Sequence, residues 1–314
     1  MKKMIGYNWI LVFAFCTLLQ ISCTGQQDGK SDVTEFKLYF LGGQSNMEGF
    51  GFNRNLPSNL NRSFENVMIF QGNHVPDKDE RAGNGVWEPL QPGHGTGYTS
   101  NGSKNTHSDR FGPELSFGAW LQKENLDQKI AIIKYSRGGS ALQEGVSGFG
   151  TWAPDYNDGN AINQYDNFLK TLDNAFAIRD IDGDGIEDKL IPTGIVWMQG
   201  EADAGKEKAS QIYETNLKRM MDLFRAALRR DDLPIVIGKI ADSGEDEKDG
   251  KMMDFIENVH QAQENFVKKD GHAALVTSTQ NYDFIEDKWH YTSKDYIHLG
   301  EEFAKAILRL QNGK

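Results

Sequence analysis

Cysteine is almost missing from this sequence: there are two residues, Cys16 and Cys23, both near the N-terminus. Beyond position 23 no internal disulfide can form, so the rest of the chain must hold together through its core. Clusters of basic residues are also missing, and the net charge of −11 argues against nucleic acid or an anionic membrane surface as partner. The long apolar run is confined to residues 10–19, too short for a dependable membrane span. Internal repeats and low-complexity linkers are absent from residues 34–314. That segment reads as a single domain, long enough to bury a substantial core.

The N-terminus has its own character. Lys2 and Lys3 precede the apolar run, and Ser22 and Cys23 follow it. Residues 1–23 read as an export signal and 24–33 as a polar tether. Cleavage before Cys23 would make it the first mature residue and a lipid acceptor, as in a bacterial lipoprotein, although Gln20 stands where that motif usually has Leu. Ordinary cleavage near the same point is the alternative. The expectation is an exported protein, periplasmic or lipid-anchored at the outer membrane, otherwise secreted, touching a membrane only through that anchor.

Short β-branched and aromatic runs at 36–41, 67–70, 129–135, 193–198, 235–240 and 274–278 are nearly continuous in apolar residues, as parallel strands buried on both faces require. Helical stripes separate them: Tyr165, Phe168, Leu169, Leu172 and Phe176 in 162–178, and Tyr213, Leu217, Met220, Phe224 and Leu228 in 208–229. A last helix begins near Thr292. This alternation predicts a three-layer α/β/α sandwich with a mostly parallel sheet, whose ligands bind beyond the carboxyl ends of the strands. Segments 72–112 and 143–160 lack periodicity and are expected to frame a cleft.

At the exit of the first strand stands Gly42-Gly-Gln-Ser45-Asn-Met-Glu. Ser45 is either part of a plain turn or a nucleophile. A serine hydroxyl attacks only when a base takes its proton and a third group orients that base. Two of the seven histidines follow an aspartate by three residues: Asp287-Lys-Trp-His290 and Asp295-Tyr-Ile-His298. Thr292-x-x-Asp295 has the form of a capping box, which gives Asp295 a structural task and places His298 one turn into a regular helix. His290 precedes that helix, in a loop free to approach a serine. Two further strand exits carry Gly138-Gly139-Ser140, whose amides can approach an oxyanion, and Gln199-Gly-Glu201-x-Asp203. Glu201 braces its loop or competes as the acid partner of His290.

Taken together, Gly43-Gln44-Ser45-Asn46-Met47, Gly138-Gly139-Ser140, Gln199-Gly-Glu-x-Asp203 and Asp287-x-x-His290-Tyr-Thr resemble the SGNH hydrolase superfamily, within it the sialate O-acetylesterase and carbohydrate esterase family 6 branch. The resemblance implies Ser45 as nucleophile, His290 as base and Asp287 as its partner. It also implies oxyanion donors at the Ser45 amide, at Gly138 or Gly139 and at Gln199, with Gln44, Asn46 and Glu201 in support. The sequence departs from the wider superfamily in having Gln199 where an Asn is usual, and Met47 rules out the G-x-S-x-G of α/β-hydrolases. The implied activity is removal of O-acetyl groups from a carbohydrate, sialic acid or an acetylated polysaccharide, with no cofactor required. A non-catalytic carbohydrate-binding protein on the same fold, using Trp87, Tyr98 and Trp152, is the rival.

Asp180-Ile-Asp182-Gly-Asp184-Gly-Ile-Glu-Asp188 reproduces the first half of a calcium loop. Ile191 stands where its bidentate acid would be. A structural calcium held by Asp180, Asp182, Asp184 and Asp188 is set against a solvated acidic turn.

Overall fold

The apolar runs become neighbouring strands, because a strand without a polar face needs cover on both sides. In the computed structural model, which describes Met1, residues 33–156 and residues 162–313, the strands in chain order are β1 (Thr34–Gly43), β2 (Gly51–Phe52), β3 (Phe64–Gln71), β4 (Glu88–Leu90), β5 (Thr99–Ser100), β6 (Asn105–Thr106), β7 (Arg110–Phe111), β8 (Ile130–Ser136), β9 (Asp188–Met198), β10 (Ile235–Gly238) and β11 (Ala273–Val276). The helices are α1 (Ser45–Glu48), α2 (Pro113–Glu124), α3 (Gln164–Phe176), α4 (Glu201–Ala204), α5 (Glu207–Ala227), α6 (Ile256–Asp270) and α7 (Ser293–Gln311). The expected signal, with Cys23, and all of the tether but Val33 lie outside the described residues. Among the described residues no helix is long and apolar enough to cross a membrane.

The central sheet has the order β11-β10-β9-β1-β8-β3-β4. All its pairs are parallel except the edge pair β3–β4. Successive side chains of β1 serve opposite faces, as strand geometry dictates. Tyr39 packs edge-on against Phe117 of α2, with ring centroids 5.3 Å apart. Phe40 packs against Phe168 of α3 at 4.7 Å and Phe224 of α5 at 5.1 Å. Helices α2 and α7 therefore cover one face, and α3 and α5, with α6 against α5, the other. Gly300 sets how closely α7 approaches α2, because a Cβ there would collide with the Pro113 carbonyl and Ser116 Oγ. The expected three-layer sandwich is the observed fold.

Register levels the three strand exits that matter. Gly43 of β1 pairs with Ser136 of β8 on one side and Met198 of β9 on the other. Strand β9 begins at Asp188, ahead of the run read from the sequence, and a register shift between Leu38 and Tyr39 accommodates its Pro192.

Three expectations need correction. Residues 72–112 are not structureless: they carry edge strand β4, the β5–β6 ribbon, and β7, which pairs with β2. Trp87, Tyr98 and Trp152 are buried, so they offer no sugar platform; Trp152 packs in an aromatic core with Tyr135, Trp197 and Phe224. Thr292 does precede α7, but its side chain makes no capping hydrogen bond to the backbone. Its hydroxyl donates to Asp295 Oδ2 at 2.5 Å instead, and that oxygen also accepts from the Asp283 amide. Asp295 fastens the incoming loop.

Candidate active site

Gly43 allows the turn that presents Ser45. Its φ of 147° is outside the range of ordinary L-residues, and a Cβ would strike the Met198 carbonyl. The Gln44 amide donates to that carbonyl at 2.8 Å, and α1 begins at once with Ser45.

Asn46, the next residue, is a clamp. Its Nδ2 donates to Glu201 Oε1 at 2.9 Å and to the Trp289 carbonyl at 3.2 Å, while its Oδ1 accepts from Tyr296 at 2.7 Å. One buried amide thereby joins the serine turn, the exit of β9 and the loop before α7. In that loop His290 Nδ1 lies 2.7 Å from Asp287 Oδ2. Asp287 Oδ1 accepts the backbone amides of Trp289 and His290. Partial burial raises the Asp287 pKa, and these hydrogen bonds, His290 first, outweigh it and hold the carboxyl below its ordinary value. With Nδ1–H given to the carboxylate, Nε2 is left as an acceptor. The imidazole lies flat on Phe50, with ring centroids 3.5 Å apart and planes 4° from parallel. Ser45 and His290 line one cavity of about 670 Å³, without a direct hydrogen bond between them among the described contacts.

The other walls of this cavity include Phe149, Trp289, Arg137 and Lys206. Segment 143–160 supplies Val146 to Phe149, whereas 72–112 contributes Thr96. Gly138 lies against the serine: a Cβ on it would sit 3.4 Å from Ser45 Cβ. Its amide donates to Glu48 Oε2 at 2.7 Å. Arg137 Nη1 reaches His74 Nε2 at 2.7 Å, and its buried Nε has no partner among the described residues.

Gln199 stands behind the wall, a correction to its expected place. Its Nε2 donates to Asp203 Oδ2 at 2.7 Å, with Ser140 O at 3.1 Å and Gln44 Oε1 at 3.3 Å also in reach. Two protons among three interior acceptors leave none for an oxyanion. Asp203 also accepts from the Leu142 and Gln143 amides, so it shapes the loop after β8, and burial pushes its pKa up to about 6. Gln44 Oε1 accepts from the Gly200 amide at 3.2 Å. Glu201 bonds Asn46, not His290. Burial pushes its pKa up to about 7, and its Oε2 has no partner among the described residues.

His298 turns away, to Tyr282 at 3.0 Å. Phe50, Glu48 and Arg137 were not among the expected site residues. Glu48 alone carried a signal, as a carboxylate one helical turn past the serine.

Of the four aspartates after α3, Asp180, Asp182 and Asp188 bring ligand atoms within 4.8 Å of one another; Asp184 is not among them. Asp184 Oδ1 accepts from the Ile186 amide instead.

Along the carboxyl edge of this mostly parallel α/β/α sheet stand Ser45, the paired Gly138 and Gly139, and the His290–Asp287 pair. The chain belongs to the carbohydrate esterase family of sialic acid-specific acetylesterases, which matches residues 35–309. It is a carboxylic ester hydrolase of the carbohydrate acetylesterase kind. Among solved structures, a protein from Arabidopsis thaliana is similar at 20% identity over 87% of this chain and 97% of that one, with TM-score 0.59. A carbohydrate acetylesterase from Xanthomonas citri is similar at 15% identity and TM-score 0.59, over 88% of this chain and 57% of that one. NanS is similar at 15% identity and TM-score 0.56, over 90% and 98%. These likenesses concern the fold. No curated protein matches the chain.

Proposed function

We propose that the protein is a serine esterase that removes O-acetyl groups from a carbohydrate through an acetyl-enzyme. The observation that carries this reading is the His290–Asp287 pair, 2.7 Å apart, on the wall of the cavity that Ser45 also lines. His290 Nε2 takes the Ser45 proton as Oγ bonds to the acetyl carbon. The Ser45 amide and the Gly138–Gly139 turn stabilise the oxyanion; the Gly138 amide can serve only when Glu48 releases it. The proton then goes from His290 to the departing sugar oxygen. Water, deprotonated by the same imidazole, attacks the acetyl carbon, and Ser45 recovers its proton as acetate leaves.

Phe149 and Trp289 are exposed aromatics on the cavity wall, suited to a sugar face. Arg137 and Lys206 favour an acidic sugar such as sialic acid over neutral xylan. Acetate release from an O-acetylated sialic acid and from acetylated xylan compares the two. Ser45→Ala and His290→Ala should each abolish release with the melting temperature unchanged. Retained turnover in His290→Ala would overturn the base assignment, and failure of a fluorophosphonate to label Ser45 would favour the non-catalytic rival.

We also propose export, with lipid attachment at Cys23, tested by intact mass before and after lipoprotein signal peptidase inhibition. A calcium at Asp180, Asp182 and Asp188 is supported by Asp188 Oδ1, a buried oxygen with no partner among the described residues.

A further inference from the structure

The polar knot around His94 takes no part in the chemistry above. His94 is fully buried. Its Nδ1 lies 3.0 Å from Gln71 Oε1 at the end of β3; an amide oxygen only accepts, so Nδ1 carries the proton and Nε2 a lone pair. That Nε2 has no hydrogen-bond partner among the described residues. Leaving such an acceptor buried and unpaired costs about 1–3 kcal/mol. It faces Glu88 Oε1 of β4 at 3.5 Å, and His107 Nε2 lies 2.9 Å from the same oxygen. The three ligand atoms lie within 4.8 Å of one another.

We propose that Glu88, His94 and His107 bind one divalent ion of the zinc type, with water completing a four-coordinate shell. For metal bonds of about 2.0–2.1 Å, neighbouring donors of a tetrahedral site stand about 3.3–3.4 Å apart. The observed 2.9 and 3.5 Å bracket that spacing. Two imidazoles and a carboxylate suit zinc better than calcium or magnesium. The Nδ1–H bond to Gln71 is the outer-shell bond that orients a ligating imidazole, and Asn105 Nδ2 donates to Glu88 Oε1, an outer-shell bond to the ligating carboxylate. A His107–Glu88 ion pair alone would account for two of the three residues and leave His94 Nε2 orphaned.

The ion's role here is mechanical. It joins β4 to residues 94 and 107. Two residues after His94, the Thr96 amide donates to the Gly49 carbonyl at 2.8 Å, and Thr96 lines the cavity. The site thus fixes one wall of the cavity and leaves the reacting groups to themselves.

The test uses the full chain, stripped of metal by chelator and dialysed, with calcium held in millimolar excess. Zinc chloride titrated by calorimetry should bind one ion per chain at this site, and His107→Ala, at a partly exposed position, should weaken it at least about tenfold. Cobalt(II) should give intense tetrahedral absorption bands that His107→Ala loses. If the variant's circular dichroism shows unfolding, Glu88→Gln takes its place in the same comparison. Zinc binding that is absent from the wild type, or equal in the wild type and a folded variant, overturns the proposal, the second outcome placing the ion on other residues such as the leader cysteines.

Discussion

At the scale of single residues, the site depends on side chains that hold others. Asn46 holds the serine turn to the carbonyl before His290, and Asp287 holds the imidazole. Glu201 lies beneath them, fully buried, with its pKa raised from 4.5 to about 7 by burial. Asp203 is raised from 3.8 to about 6 for the same reason. In both groups the folded state keeps a proton that the unfolded state has already lost, so protons favour folding. Stability is therefore greatest below about pH 4 as far as these two groups decide it, and it falls as pH rises through about 6 and about 7. Melting temperature measured across pH 5–8 should decline, and Glu201→Gln should flatten the decline above pH 6 while raising stability at pH 8. An unchanged slope in the variant would show that Glu201 is ionised throughout. The motif around Gln199 revealed that these residues matter, but not how. Gln199 was expected as a donor to the oxyanion. Whether an amide faces a cavity or an interior carboxylate depends on which chain segment packs behind it, and local sequence does not carry that.

At the scale of elements, strand exits and the serine turn could be read because both have local causes: continuous apolar runs and glycine at a positive φ. Helices α2 and α6 carry weaker signals. Helix α2 buries Pro113, Leu115, Phe117, Gly118 and Leu121, more than one stripe, because α7 lies along it; helix α6 buries five residues among many polar ones. The acidic turn between α3 and β9 was recognised by its spacing, and folding brings three of its four aspartates together. Asp182 already pairs with Lys129 at 2.5 Å, and both Asp180 oxygens accept glycine amides. The unpartnered, buried Asp188 Oδ1 is the group a calcium would satisfy, and burial raises the pKa of this carboxyl. Depleting calcium at constant zinc should lower the melting temperature and leave turnover at low temperature unchanged. No shift in melting, or the same shift in Asp188→Asn, would remove the ion from this turn.

At the scale of the whole molecule, one buried cation ties the layers to the site. Lys134 sits inside β8 with its ammonium donating to Glu114 Oε2 of α2 at 2.7 Å, to the Glu48 carbonyl at 2.9 Å and to the His94 carbonyl at 2.6 Å. Both ions are fully buried. Breaking such a pair from one side leaves an uncompensated charge, which costs about 3–5 kcal/mol. Lys134→Met should lose that much in urea unfolding, and adding Glu114→Gln should recover part of it. A loss below about 1 kcal/mol would mean that the buried pair adds little to stability. The sequence offered Lys134 only as an interruption in an apolar strand, since its three acceptors come from remote segments.

The clamp from Asn46 to the Trp289 carbonyl spans 243 positions of the chain. On the mechanism proposed above, Ser45 therefore has no proton acceptor until His290, which leads into the last helix, has been added and seated. With His290 as the proposed base, a half-made chain would lack the means to cleave an ester, and the first acetate released by a refolding population would mark the arrival of α7.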